Sequence, residues 1–535
     1  MTINSEMKDK TNDSAKSKRR RARVEFIKTI IVILLFISMV TLATAVILQT
    51  QQFIISPPVD VNIDSLIILH DNKTQESIAS YILPEFMGYK VNGISRGLYG
   101  SESKMRELYG LLYGGMTALL GGQSECRTLS GEEGGAEWLN CFRGDYVYVR
   151  YFTELPSSVL YYAASDKFDS QISPDDGGND SLAEGVIPYI RELFLVPVSN
   201  SYKIVARSGN TLDQNAEIYV FNLKKDADAP NFDINTLSAY NNDSGQLADF
   251  SFLNGEVYVD GQKKPSPANT GGLERLYRLP DTTVLTDASY TQKYIAVNTG
   301  EKLAGRIYND INKNKLLDLL GFNMNRVNTY PTEKHTVYVD EENNSRLMLS
   351  DSGALEYIGA PSGNGGKKSS GVAVSSFLGY ENYGGNYTFH ELTAAAASLL
   401  GSLKKIALGL MGGDAKPGLI SVSGGETELE LVFAYFYDNY RITGLDATVK
   451  MKFSGGKLTA LELVPAEITV GKLCVSIPQR WAAARLYADL SRDEKSDEEV
   501  LTAEFVPVYK YVSNSKIAPV WAILTDGQKA GNPAD

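Results

Sequence analysis

Histidine and cysteine are scarce in this chain, three of each in 535 residues. His70, His335 and His390 stand far apart and form no HExxH or other paired spacing, which disfavours a zinc site built from the chain's own imidazoles. General acid–base chemistry would therefore fall to carboxylates, and a glycosidase pair leaves no sequence signature because its separation is spatial. Three cysteines in so long a chain exclude a disulfide framework. Cys126 and Cys141 could pair across a short loop outside a cell, whereas Cys474 lies in a strand-like apolar context and is expected to be a buried small hydrophobe.

An excess of positive charge is also missing. The formal net charge is −12, and the first 28 residues hold 9 basic and 4 acidic side chains, leaving 43 against 60 in the remainder, a net of −17. That balance argues against nucleic acid and against charge-driven binding of anionic wall polymers. With 43% hydrophobic and 10% aromatic residues the chain has the apolar content of a folded protein. The roughly 480 residues beyond the N-terminal segment exceed what one core usually supports, so two to four domains are expected.

One long hydrophobic run stands out. Thr29 to Leu48 is twenty residues without a charge, preceded by Lys16, Lys18, Arg19, Arg20, Arg21, Arg23 and Lys28. A helix of that length just crosses the hydrocarbon core of a bilayer, and basic flanks stay cytoplasmic. Residues 1–28 are thus expected to be a cytoplasmic basic tail and 29–48 a single transmembrane helix, with Lys18, Arg19, Arg20, Arg21 and Arg23 setting its orientation. The rival is a cleaved signal peptide ending at Ala43-Thr44-Ala45, but the run exceeds a signal peptide's usual apolar length and continues through Val46, Ile47 and Leu48. Ser38, Thr41 and Ala45 form a small-residue stripe on which another helix could pack closely, against the plainer reading of lipid-facing filler.

Beyond the run, patterning predicts α+β structure. Pro57-Pro58 ends regular structure, and Ser65 to Leu69 reads as a buried strand. Glu102 to Leu120 has helical spacing through Met105, Leu108, Leu111, Leu112, Met116 and Leu119. Tyr146 to Phe152 and Ser158 to Ala163 are predicted strands, Leu182 to Leu195 a helix, and Tyr202 to Ala206 and Glu217 to Leu223 strands. Asp226 to Gly272 is polar, yet Asn254-Gly255 between alternating apolar residues signals a hairpin. Together 60–278 make a first ectodomain. Residues 279–359 form a middle unit, a helix over Glu301 to Leu320 followed by three strands at His335 to Val339, Arg346 to Leu349 and Ala354 to Ile358. The Gly/Ser/Lys stretch 360–373 is a flexible linker. Residues 374–527 repeat the grammar: a helix from Glu391 to about Met411, four strands, a second helix Pro478 to Leu490 with Trp481, Ala484 and Ala488 on one face, and a closing hairpin. Antiparallel sheets with helices on one face are the expected architecture.

This layout, with Glu154-Leu155-Pro156 after an aromatic strand, Asp351 to Tyr357 in the middle meander, Ile477-Pro478 opening an alanine-bearing helix, and the terminal Pro519-Val520-Trp521, resembles the YycH/YycI family. The resemblance lies in order and spacing over nearly the whole chain. It implies a membrane-anchored accessory regulator of a wall-sensing two-component histidine kinase in the Gram-positive cell envelope, single-pass, with a YycI-like last domain. The kinase and a related single-pass regulator are the implied partners. The chain is longer than that family leads one to expect, mostly through Asp226 to Gly272.

Short catalytic patterns each have a plainer explanation. Gly93-Ile94-Ser95-Arg96-Gly97 fits a nucleophile elbow, but the preceding strand is poor and an Asn-Gly turn accounts for it. Asp310-Ile311-Asn312-Lys313-Asn314 with Asp318 echoes a calcium loop but has Lys315 where glycine and Gly321 where glutamate belong, so a solvated helix face is favoured. Gly366-Lys367-Lys368-Ser369 is no P-loop, and Ser101-Glu102-Ser103-Lys104 lacks the Lys-Thr-Gly strand that accompanies SxxK. No catalytic residue, metal or cofactor is expected. The functional expectation is a non-enzymatic regulatory protein, with a carboxylate-based wall hydrolase or a ligand-binding surface protein as alternatives.

Overall fold

Strands β1 (Pro84–Val91) and β2 (Ile94–Tyr99) are joined by Asn92 and Gly93, both at positive φ, 52° and 78°. A two-residue hairpin turn of this hand requires positive φ at both positions. The Asn-Gly turn therefore accounts for the GxSxG string, and Ser95 lies on β2 opposite Lys90 rather than at a strand-to-helix elbow. The computed structural model describes residues 78–121, 124–165, 188–199, 201–208, 217–224, 232–241, 247–252, 256–259, 262–265, 283–286, 289–298, 304–305, 307–341, 343–359, 371–379, 387–406, 416–425, 427–445, 449–479, 482–484, 503–511, 516–517 and 519–525. The segment from Thr74 onward forms one compact unit.

The first large sheet continues with β3 (Ser124–Leu129), β4 (Tyr146–Pro156), β5 (Tyr189–Val198), β6 (Ser201–Arg207), β7 (Ile218–Leu223) and β8 (Ala248–Phe252). A separate hairpin of β9 (Glu256–Val259) and β10 (Gln262–Pro265) comes next, then β11 (Val284–Thr286). The nine-stranded order is β11-β8-β2-β1-β4-β5-β6-β7-β3. Among the described residues this part has the helices α1 (Glu102–Gly110), α2 (Tyr113–Leu120), α3 (Gly131–Cys141) and α4 (Ser157–Ala164).

The second large sheet is built by the rest. Its neighbours are β12 (Ser289–Asn298), β13 (Val327–Pro331), β14 (His335–Asp340), β15 (Ser345–Ser350), β16 (Leu355–Gly359), β17 (Val372–Ala373), β18 (Lys416–Gly424), β19 (Glu428–Tyr437) and β20 (Tyr440–Thr443). The chain ends in β21 (Val449–Ser454), β22 (Lys457–Leu463), β23 (Glu467–Pro478), β24 (Ala503–Lys510), β25 (Lys516–Ile517) and β26 (Pro519–Thr525). Twelve strands pair in the order β13-β14-β15-β16-β22-β21-β19-β20-β24-β26, with β17 on β22 and β18 on β19, while β23-β12-β25 forms a smaller sheet. Among the described pairings all are antiparallel except β20 with β24. Helices α5 (Asp310–Leu319), α6 (Ser375–Leu378) and α7 (Phe389–Ile406) follow among the described residues, and the fold is mixed α and β with mostly antiparallel sheets.

Several expectations need correction. Residues 360–373 do not separate two sheets: β16 of the meander pairs directly with β22, Leu355 opposite Leu463 and Tyr357 opposite Leu461. The boundary at 279 likewise falls short, because Val284–Thr286 pairs with Phe250–Phe252. The predicted helix over 182–195 is the strand β5 in its described part, and its Arg191 and Glu192 are buried members of ion pairs. The predicted strand at 158–163 is α4, which buries Val159, Leu160, Ala163 and Ala164 at helical spacing. Residues 102–120 form two helices rather than one, interrupted at Leu111-Leu112 beside Gly110, Gly114 and Gly115, which are weak helix formers. The strands on either side of Asn254-Gly255 do not pair with each other as expected: β8 pairs with β2 and β11, and β9 with β10, while Asn254 and Gly255 lie outside the described residues. Ala484 is exposed and Ala483 is the buried alanine; Trp481 and Ala488 lie outside the described residues.

Helices cover both faces of the nine-stranded sheet, not one. Adjacent residues of a strand point to opposite faces. Gly115 of α2 sits against Leu195, where a Cβ would meet the leucine side chain at 3.4 Å, while Trp138 of α3 packs on Phe194 with ring centroids 4.8 Å apart. The twelve-stranded sheet keeps part of one face open. Leu347, Tyr357, Leu461, Met451 and Leu431 point into the core, and the alternate residues Arg346, Glu356, Lys450 and Glu430 form cross-strand ion pairs at 3.6 and 3.3 Å.

Candidate functional site

The two large sheets meet along a seam created by irregular strands. On β4 the ladder to β5 is interrupted between Arg150 and Leu155, and on β1 the ladder to β4 is interrupted between Pro84 and Phe86. Such bulges release residues from the alternating pattern and re-aim their side chains. Phe152 packs beside Ile420, Val432, Ala434 and Phe436, its ring 4.6 Å from that of Phe436. The β19–β20 turn, Asp438 and Asn439, both at positive φ, reaches across from the other side. Asn439 Nδ2 donates to Pro84 O at 2.8 Å, Glu102 N donates to Asp438 Oδ1 at 2.9 Å, and Tyr440 Oη donates to Tyr99 O at 3.0 Å. Gly100, at φ 68°, lies directly under the Tyr440 ring, where any Cβ would collide with it.

Two charged places lie in this seam. In the first, Glu85 Oε2 accepts from Arg150 Nε at 2.9 Å and from Arg191 Nη2 at 3.5 Å, and Arg150 Nη2 also donates to Tyr99 Oη at 3.0 Å. All three ionised side chains are almost wholly buried, and Arg441, Val506, Val508 and Leu524 line the same pocket. The neighbouring pair Glu192–Arg207, 2.9 Å apart, continues the row, with the Arg207 guanidinium 4.2 Å from the Trp138 ring centroid.

The second place is a cleft lined by Ser80, Tyr81, Leu83, Glu102, Arg106, Phe152, Lys416, Pro417, Gly418, Phe436 and Asn439. Glu102 Oε1 accepts from Arg106 Nε at 2.9 Å and from Lys416 Nζ at 2.8 Å. Burial alone would raise the Glu102 pKa, but these two cations outweigh it and hold the carboxyl below its ordinary range. Asp438 behind it is pushed upward, chiefly by burial, although the Glu102 amide, Gln292 and Lys293 oppose the shift.

The remaining sequence candidates are scattered. Ser38, Thr41, Ala45 and the orienting Lys18, Arg19, Arg20, Arg21 and Arg23 lie outside the described residues, as do His70 and Gly366 to Ser370. The calcium-like string forms α5, capped by Asn309, which accepts from Asn312 N at 2.9 Å; ligands wound on a helix are not a calcium loop. Ser101 precedes α1, and Lys104 pairs with Glu107 at 3.2 Å. His335 starts β14, whereas His390 is buried in α7 and stacked on Tyr162 with ring centroids 3.6 Å apart. Cys126 and Cys141 cannot pair as placed. Cys126 opposes Phe221, which follows Ile204 and Leu195 onto the α2 face, while Cys141 belongs to α3 on the other. Both are free thiols that burial pushes up, to about 11 and about 12, and Cys474 is exposed rather than buried because it lies on the edge strand β23. Among the described residues no group of three or more metal-ligating side chains converges, and no helix is long and apolar enough to cross a membrane.

Sequence reasoning passed over Glu85, Arg150, Arg191, Glu102, Arg106 and Lys416. The available signal was charge inside apolar strands, as in Tyr146-Val147-Tyr148-Val149-Arg150-Tyr151 and Arg191-Glu192 before Leu193-Phe194-Leu195. No family profile matches the chain, and no curated protein matches its sequence. Among solved structures it is similar to the crystal structure of YycH from Bacillus subtilis, at 10% identity and a TM-score of 0.45, over 84% of this chain and 96% of that one.

Proposed function

We propose that this chain is a non-enzymatic, extracytoplasmic regulatory protein of the YycH-like kind, tethered by Thr29 to Leu48 with its N-terminus in the cytoplasm. It acts by contact with a membrane sensor histidine kinase and a related single-pass regulator. The observation that carries this reading over a hydrolase is how the buried carboxylates are engaged. Glu85 is shared by Arg150 and Arg191, Glu192 is paired with Arg207, and Asp340 accepts from the Asn323 and Asn343 amides. A glycosidase acid must reach the glycosidic oxygen to give it a proton, whereas these oxygens are already engaged by partners inside the fold. These groups build structure, which supports a protein that presents surfaces.

Association shifts a kinase between states only to the extent that one state is bound better. The stripe Ser38, Thr41 and Ala45 supplies the membrane contact. Crosslinking in intact membranes followed by recovery of the full chain should bring down a histidine kinase, and Thr41→Leu with Ala45→Leu should reduce that recovery. Absence of any kinase, together with peptidoglycan cleavage abolished by a single Asp or Glu substitution, would overturn the reading. Equal recovery with the leucine variant would remove the helix stripe alone.

A further inference from the structure

The cleft at Glu102 has more positive charge than its own carboxylate answers. Arg106 on α1 and Lys416 on β18 both bond one oxygen of Glu102, so the two cations flank a common point. Arg106 also donates through Nη2 to Ser80 O at 3.0 Å. A guanidinium has five N–H donors and an ammonium three. Among the described residues Arg106 Nη1 and two further N–H groups of Lys416 meet no protein acceptor, and the side chains remain 37% and 55% exposed while Glu102 is 15% exposed. The other acid close by, Asp438, already accepts from the Glu102 amide and has Gln292 and Lys293 against it.

Beside the cations the wall is apolar. Phe152 and Phe436 stand edge to face, and Tyr81 and Leu83 complete that side. Gly418 is closed over by the Phe436 ring, 2.6 Å from where a Cβ would stand, which leaves a floor of backbone and ring. The enclosed space is about 20 Å³, room for a water or a single charged head, and the cleft is partly open to solvent, so an apolar substituent would lie at its mouth. Two cations share the one carboxylate of Glu102, which leaves one positive charge beside the aromatic side for an anion to meet.

We propose that this cleft binds a carboxylate carried directly on a compact apolar group, the carboxylate taking Arg106 Nη1 and Lys416 Nζ and the apolar group lying on Phe152 and Phe436. Charge-assisted bonds to both cations fix the head, and the ring edges select the apolar substituent attached to it. The ligand joins α1 and β4 of one sheet to β18 and β19 of the other, so its occupancy stabilises the seam.

Two sources share this chemistry: a peptide C-terminus and a free organic acid. The test titrates the purified full chain calorimetrically with acetyl-Ala-Ala and with benzoate, each beside its uncharged amide. At least one acid should bind at up to about 10 mM, with its amide at least about tenfold weaker; which acid binds identifies the source. Lys416→Met and Arg106→Met should each weaken binding by about tenfold, the loss of one charge-assisted contact. Glu102→Gln removes the competing anion and should strengthen it several-fold, so a loss and a gain in one cleft separate binding from misfolding. No binding by either acid, equal binding of the amides, or unchanged affinity in the methionine variants would each overturn the proposal.

Discussion

His390 allows a sharp pH experiment because the chain has only three histidines. Its ring is 7% exposed and stacked on Tyr162, and burial lowers its pKa from 6.5 to about 3. The imidazole is therefore neutral in the folded state at any ordinary pH. In the unfolded chain it protonates below about 6.5. A base whose folded pKa is depressed leaves stability intact above the unfolded value and withdraws it as pH falls toward the folded value. Between pH 7 and pH 5 the unfolded state gains up to one proton that the folded state refuses, which costs about 2 kcal/mol. That figure hardly changes for any folded pKa below about 4, since the window ends at pH 5.

His390→Phe keeps an aromatic ring on Tyr162 and removes the proton. Urea unfolding of both proteins at pH 7, 6 and 5 should show the wild type losing about 2 kcal/mol more than the variant, with the divergence beginning near pH 6.5. The histidine Cε1–H resonance that disappears in the variant should not titrate between pH 8 and about 4.5 in the wild type. A difference under about 0.5 kcal/mol, or a resonance with a midpoint near 6, would refute the argument that burial keeps this imidazole neutral.

The seam and the cysteines give three further expected outcomes. Glu85→Ala removes the carboxylate shared by Arg150 and Arg191 and should cost about 3–5 kcal/mol in denaturant unfolding, the cost of breaking a buried ion pair from one side; a loss below about 1 kcal/mol would mean that solvent reaches the pair. Gly100→Ala meets both a positive φ and the Tyr440 ring, so it should cost about 2–4 kcal/mol, falling to about 1 kcal/mol in a Tyr440→Ala background where only backbone strain remains. Maleimide at pH 7.5 should label Cys474 well before Cys126 or Cys141, and the non-reduced chain should retain three thiols; a recovered Cys126–Cys141 crosslink would contradict their placement on opposite sheet faces.

Legibility in the sequence tracked the range of the interaction. The meander at His335 to Gly359 was readable because alternation, turn residues and strand pairing all lie within 25 residues of one another, and Ser454 to Lys457 likewise declares its turn through Gly455 and Gly456 at φ 54° and 70°. Ser157 to Ala164 was not, since a short apolar run with Val159, Leu160 and two tyrosines fits either period and only burial against the sheet decided it. Tyr189 to Val198 misled for the opposite reason. Arg191 and Glu192 look like a polar face until Glu85 and Arg207 are seen to meet them.

The seam lay wholly beyond local patterning. Glu102 and Lys416 are 314 positions apart, and Asn439 and Pro84 are 355 apart. What the sequence does carry is the cause of the seam, one residue at a time. A strand that kept strict alternation would send successive residues to opposite faces. The interruption beside Glu85 places it where Arg150 and Arg191 reach the same oxygen, and the break after Arg150 turns Phe152 toward Phe436. Deleting Glu85 would therefore do more than remove a charge. It would straighten β1, move Pro84 O away from Asn439, and leave Phe152 facing a sheet no longer held against it, so the register of two strands decides whether the cleft at Glu102 exists at all.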